Sequence, residues 1–256
     1  MRKYFEIFKY SLKTQFAFIY NYIFSIASFA IHVFVFNELW DFILKGKEIV
    51  GYTKSELIWY IIIAECILYS GDKKFNKIGD MVKQGDIANM LIKPVDTVNY
   101  FIAETTASLV KCFINLVVAV ILGVTLAGPI NYSFGSIFFA LIAFFMGVFI
   151  HNLLQIFIGI IAFYTEENKS FWMVVQKIAF FVVFTPLEFY PKIVQNILLC
   201  LPTTYFVYVP SKIFVNYEFS LALGLIGLEI LSGLVIYGAI RLVYKKGAER
   251  INVNGG

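Results

Sequence analysis

The feature that most restricts the fold is a run of 33 residues, 133–165, without a single Asp, Glu, Lys or Arg. A second run, 16–36, goes 21 residues without a charge. A helix needs about 20 apolar residues to cross the hydrocarbon core of a bilayer. Inside that core every backbone N–H and C=O must be paired within the segment, so an open chain spans as helices. The sequence therefore predicts an all-α membrane protein. Composition agrees: 60% of the 256 residues are hydrophobic and 15% are charged, against roughly 45–50% and about 25% in soluble domains. A soluble fold of this length has too little interior to hide that much apolar surface. A soluble enzyme, a disordered chain and a secreted disulfide scaffold are excluded. The three cysteines, Cys66, Cys112 and Cys200, lie in or beside apolar runs and read as small buried hydrophobes. The N-terminus is charged and lacks a clean apolar core with a small-residue cleavage site, so it does not read as a removable signal peptide.

Six segments qualify as spans: 16–40, 57–70, 101–127, 133–164, 171–187 and 219–240. The second is short and carries Glu65. The region 186–212 differs, because it holds four of the six prolines, Pro186, Pro191, Pro202 and Pro210. Its apolar run 193–201 makes a helix of about 14 Å, less than half the hydrocarbon thickness. Proline removes a donor and stops helices. A re-entrant external hairpin is expected there, with a broken seventh span as the alternative. Six spans put both termini on one side. With the termini inside, fourteen of the 21 basic residues fall in inner segments and five in outer ones. The excess of Lys and Arg then marks the cytoplasmic face. The net charge of +4 reports orientation rather than a nucleic-acid partner.

Residues 1–15 can form an interfacial helix on the bilayer. Arg2, Glu6, Lys9 and Lys13 share a face, and Phe5, Phe8, Leu12 and Phe16 make an adjacent apolar stripe. The longest inner segment is 71–99. Within it Gly85 breaks the chain, Asp86 can cap a short helix over 87–92, and Pro94 ends it. Ile87, Met90 and Leu91 then share an apolar face. Such a face suits a groove on another protein, or the membrane surface. Polar groups inside spans are costly and often functional. The candidates are Glu104 and Lys111, seven residues apart and so on nearly one face; His151 with Asn152 and Gln155; and Lys177 and Glu229, of opposite sign. Interhelical hydrogen bonding is the favoured reading for the His151 patch.

No G-x-x-x-x-G-K-[ST] is present, so the chain has no P-loop of its own. The two histidines, His32 and His151, fall on different spans, and no H-E-x-x-H occurs. No catalytic, cofactor-binding or metal-binding residues are expected on this chain.

The segment from Ile78-Gly79-Asp80 through Gly85-Asp86-Ile87-Ala88-Asn89-Met90-Leu91-Ile92-Lys93-Pro94 is similar to the coupling-helix region of the permease subunits of ABC-2 type transporters. The hairpin Pro186-Leu187-Glu188-Phe189-Tyr190-Pro191, followed by Leu201-Pro202 and by Tyr208-Val209-Pro210, resembles the external hairpin of one subgroup, and Lys245–Arg250 resembles its tail. In order of parts the resemblance covers nearly the whole chain, as one permease domain over 1–256. It implies two associated permeases, identical or related, in the plasma membrane, each resting on a separate ATP-binding subunit that holds ATP and Mg. Gly85, Asp86, Ile87, Met90, Leu91 and Pro94 would then dock in that subunit, and Pro186, Glu188, Pro191 and Pro202 would build the external hairpin. Amphiphilic cargo (a drug, an antimicrobial peptide or a lipid) would pass between the permeases. The alternative is a secondary transporter driven by an ion gradient through Glu104, Lys111, Lys177 and Glu229.

Overall fold

The structure, a computed structural model, describes every residue except Met1, Phe18, Asp72, Lys93, Asn131, Glu166, Gly255 and Gly256. The side chains of residues 16, 17, 19, 21, 91 and 250–254 also lie outside the description, and with them the Phe16 and Leu91 positions singled out above. The described chain is α1 (Arg2–Ala17), α2 (Ile19–Leu44), α3 (Lys54–Ser70), α4 (Lys74–Lys83), α5 (Ile87–Leu91), α6 (Thr97–Thr105), α7 (Ser108–Leu122), α8 (Phe134–Thr165), α9 (Lys169–Phe184), α10 (Lys192–Leu199), α11 (Pro202–Val215) and α12 (Phe219–Asn254). A π-helical turn, Gly123–Ala127, follows α7, and a 3-10 turn, Leu187–Phe189, precedes α10.

Four helical runs among the described residues are long and apolar enough to cross a bilayer: Tyr22–Leu44, Thr97–Ala127, Phe134–Thr165 and Phe219–Glu249. The pair α10 and α11, bent by 108°, makes a fifth if counted as one broken span. Six were expected from the sequence. The two that fall short are α3 and α9, with 17 and 16 residues. At 1.5 Å per residue they reach about 25 and 24 Å, less than the roughly 30 Å core. The first of these runs lies within α2. The third is interrupted at Thr106-Ala107. There the Thr105 and Thr106 hydroxyls donate back to Ile102 O and Ala103 O, at 2.8 and 2.7 Å. Such back-bonding competes with the helical ladder and bends it.

Contacts define two ends. At one end Lys3 Nζ donates to Pro94 O at 2.8 Å, Lys83 pairs with Glu167 at 3.3 Å and Arg241 with Asp96 at 2.7 Å. At the other end Lys54 pairs with Asp41 at 2.8 Å and Ser55 Oγ donates to Ala127 O at 2.6 Å. There α3 starts from a capping box, with Thr53 N donating to Glu56 Oε2 and Glu56 N to Thr53 Oγ1.

Two helices organise the core. α3 is buried nearly all round, and α8 packs against α4, α11 and α12. Glycines on α8 set the closest approaches. A Cβ on Gly159 would meet Ile78 of α4 at 2.7 Å, and one on Gly147 would meet the Phe206 carbonyl of α11 at 2.6 Å. Pro210 stands four residues after Phe206 and has no N–H to offer that carbonyl. Cys66 and Cys112 are buried as expected, but Cys200, at the turn between α10 and α11, is exposed.

Candidate functional site

The 85–94 loop is a short arm at the end where Lys3, Asp96 and Arg241 meet. Gly85 has φ +76°, a left-handed conformation that glycine adopts without strain and that turns the chain out of α4. Asp86 does not cap α5, since it is itself in the right-handed helical region and its side chain makes no capping bond. Asp96 is the true cap, of α6, accepting from Asn99 N at 2.8 Å. Ile87 and Met90, expected to face a partner, are buried within this chain at 1% and 5% exposure. The outward side is Gly85, Asp86, Ala88, Asn89, Ile92 and Pro94, with Ile92 83% exposed. The physical reason is length. A five-residue helix joined to α4 by a single turn folds its apolar residues onto its own chain.

The arm is braced. Asn168 Nδ2 donates to Phe75 O at 2.5 Å, and Lys74 N donates to Gln155 Oε1 at 2.9 Å. α4 is thereby pinned to α8 and to the start of α9. The Asp96 carboxyl is pushed up by its partial burial, but the hydrogen bond and charge of Arg241 outweigh that and hold it below its usual range.

Two cavities share Phe24, Ser25, Tyr69, Gly71 and Lys73 in their linings. One, of about 910 Å³, is lined by Lys73, Lys74, Lys77, Lys111 and Glu104. Glu104 shares this lining with Lys111, in keeping with their spacing. Its Oε1 takes Lys77 at 2.5 Å and Lys74 at 3.2 Å, both from α4. The other cavity, of about 690 Å³, lies between α2, α3 and α9. Its wall carries His32, whose Nδ1 is 3.1 Å from Glu65 Oε1 and 3.3 Å from the Tyr69 hydroxyl. His151 faces it too, with its ring 5.0 Å from that of Phe206 and 5.5 Å from that of Trp172, and neither ring nitrogen has a hydrogen-bond partner among the described residues. Asn152, by contrast, donates to Ser108 Oγ at 2.8 Å and Gln155 accepts from Lys74 N. For these two the interhelical reading of the patch holds. The His32–Glu65 pair was not foreseen, because 33 residues separate its members and only Glu65 interrupts an apolar run.

Lys177 and Glu229 do not pair. Lys177 is exposed on α9, whereas Glu229 is fully buried between α8 and α12 with no partner for either carboxyl oxygen among the described residues.

At the opposite end the proline-bounded hairpin carries a charge network that the sequence did not suggest. Glu188 Oε1 is 2.7 Å from Lys212 Nζ and accepts from the Tyr208 hydroxyl at 2.8 Å. Glu188 Oε2 accepts from the Tyr52 hydroxyl at 3.1 Å, and Lys212 donates to that same hydroxyl at 2.8 Å. Burial would raise the Glu188 carboxyl. The hydrogen bond and charge of Lys212 prevail and hold it below its ordinary value. Pro186 and Pro191 precede the 3-10 turn and α10, and Pro202 opens α11 at its first position, where its missing N–H costs nothing.

The sequence profile of the ABC-2 family transporter proteins matches residues 26–255, from α2 to the end of α12. The chain belongs to the ABC-2 transporter family. It is a membrane permease of an ABC transporter, and family membership carries with it an ATP-binding subunit as partner. No curated protein matches the chain. Among the described residues of this ABC-2 permease no cluster of three or more His, Cys, Asp or Glu is placed to hold a metal. In the permease the arm turns Ala88, Asn89 and Ile92 outward and buries Ile87 and Met90.

Proposed function

We propose that this permease is the membrane half of an ATP-driven exporter of amphiphilic cargo in the plasma membrane. It crosses six times, with α3 and α9 as the two short spans, and both termini are cytoplasmic. It pairs with a second permease, identical or related. ATP and Mg bind on the partner subunit, and this chain hydrolyses nothing itself. The observation that carries the reading is the braced arm with its exposed Ala88, Asn89 and Ile92. A helix end that is fixed to α8 behind and bare in front is suited to receive a push. Cargo passes where α2 and α9 border the smaller cavity. Exposed Phe24 and Met173 line that cavity beside polar Ser25, Ser28, His32 and Gln176.

The ion-gradient alternative loses support from its own residues. Glu104 is neutralised by Lys74 and Lys77 from α4, and Lys177 and Glu229 are not brought together. The test uses the tagged chain purified from its membranes. A stoichiometric P-loop protein should accompany it, and Ile92→Asp with Ala88→Asp should uncouple ATP hydrolysis from transport while the protein stays in the membrane. Full transport by that double variant overturns the docking assignment. Uptake by the lone chain in vesicles under a proton gradient would favour the alternative.

A further inference from the structure

Glu229 is a buried ionisable group that the export reading leaves unused. It sits inside the long span α12, fully buried, and neither carboxyl oxygen has a hydrogen-bond partner among the described residues. An ionisable side chain held within a span is costly, and such groups mark the sites where other molecules are bound or passed. The nearest basic residue along α12 is Arg241, about 18 Å away along the axis, and it is taken by Asp96 and the Tyr237 hydroxyl.

The residue borders a cavity of about 290 Å³ between α6, α8 and α12. Phe149, Ile230 and Leu234 line it and are exposed, so the cavity opens toward the lipid. Apart from Glu229 its lining holds one polar side chain, Tyr237, and among the described residues no Lys, Arg or His. The backbone at Gly147 shows what Glu229 meets on its inner side. Where a Cβ would stand on that glycine, the Phe206 carbonyl oxygen is 2.6 Å away and Glu229 Oε1 is 3.4 Å away. Pro210 has no N–H to give that carbonyl. Two acceptors therefore converge on one notch. An ammonium group answers both with donors and supplies the missing counter-charge, an alcohol gives one donor and no charge, and a carboxylate gives neither. Hydrogen bonds between charged groups in a dry site are the strong ones.

We infer that this cavity binds a protonated amine on an apolar body, with the ammonium between Glu229 and the Phe206 carbonyl and the body along Phe149, Ile230 and Leu234. The volume suits a ring and a short chain, since a cavity of about 150 Å³ already takes benzene. The carboxyl oxygens are covered, so the amine enters as the lining yields, and Met146, unbranched and adaptable, is the lining side chain suited to move. The inference goes beyond the export reading. This cavity shares no lining residue with the one assigned to cargo, and binding in it needs neither ATP nor a partner subunit.

The test is direct binding to the purified full chain in neutral detergent at neutral pH, with phenylbutylamine, phenylbutanol and phenylbutyrate as probes. The amine should bind saturably and at least about tenfold tighter than the alcohol, the gain expected of a charge-assisted hydrogen bond, and phenylbutyrate should bind weakest. Glu229→Gln, close in shape, should remove that tenfold preference and leave the alcohol within about twofold. Ile230→Trp, at an exposed position in the lining, should weaken amine and alcohol together without touching the carboxyl. Leu228→Trp, equally exposed but outside the lining, should change neither. Equal binding of amine and alcohol, or amine binding unchanged in Glu229→Gln or in Ile230→Trp, overturns the inference. Co-purification of the ATP-binding subunit is scored separately, so the export reading stands or falls independently.

Discussion

The Glu188–Lys212 network can be taken apart one charge at a time, and the structure predicts an asymmetric result. The Lys212 side chain is 8% exposed and the Glu188 side chain 28%. In Glu188→Gln the lysine stays buried as a full charge facing a neutral amide and the Tyr52 hydroxyl. Removing one partner of a buried pair typically costs about 3–5 kcal/mol. In Lys212→Met the carboxylate keeps its two tyrosine donors, Tyr52 and Tyr208, and is itself nearer to solvent. The loss there is the share of one charge-assisted bond, about 1.5–3 kcal/mol. In the double variant neither charge is left behind, and replacing both partners is close to neutral, within about 1 kcal/mol. Thermal unfolding in detergent reads this directly, at about 2–4 °C in Tm per kcal/mol for a chain of this size. The expected drops are about 6–20 °C for Glu188→Gln, about 3–12 °C for Lys212→Met and under about 4 °C for the double variant. The sign with pH follows. Glu188 titrates below its ordinary value when folded, so its contribution is complete above the usual carboxylate pKa, about 4.3, and fades as pH falls through the folded one. The reasoning is refuted if Lys212→Met costs more than Glu188→Gln, or if the double variant loses the sum of the two.

Other outcomes follow from single contacts. Gly147→Ala should destabilise by about 1–3 kcal/mol because its Cβ meets the fixed Phe206 carbonyl; Gly224→Ala, with nothing within 4 Å, should instead stabilise by about 0.5–1 kcal/mol through helix propensity, and Tm shifts of opposite sign check both. Asp96→Ala should cost about 1 kcal/mol as a lost cap, whereas Asp86→Ala, which caps nothing, should leave Tm unchanged. Glu229→Leu should raise Tm, since it removes a fully buried carboxyl with no hydrogen-bond partner among the described residues, a change of about 1–3 kcal/mol; a lower Tm would mean that a partner satisfies it.

The parts that were legible in the sequence are those set by composition and periodicity. An uncharged run of 33 residues leaves little choice but the long α8, and four prolines in 25 residues force the broken hairpin of α10 and α11. Pairings over long separations were not legible. Glu188 meets Tyr52 across 136 positions and Lys212 meets Tyr52 across 160, and no local pattern marks them. The face of α5 was misjudged for a related reason. The heptad-like spacing of Ile87 and Met90 shows that they share a side, but whether that side meets a partner or the chain's own core depends on where Gly85 turns the backbone. Glu104 and Lys111, placed on one face by their spacing, line the same cavity, but the ion partners of Glu104, Lys74 and Lys77 of α4, lie about 30 positions away and were not legible.

Gly159 and Gly147 seat α4 and α11 on the same face-to-face helix, twelve residues apart, which is about 18 Å along its axis. One rod thus carries α4, which leads into the 85–94 arm, near one end and α11, which follows the proline-bounded hairpin, toward the other. A tilt of α8 driven from the arm would swing both seats at once, with no relay of side chains needed in between. In such a machine, opening on one side and closing on the other are a single motion of one lever, and a bulky residue at either glycine would act as a wedge under its fulcrum.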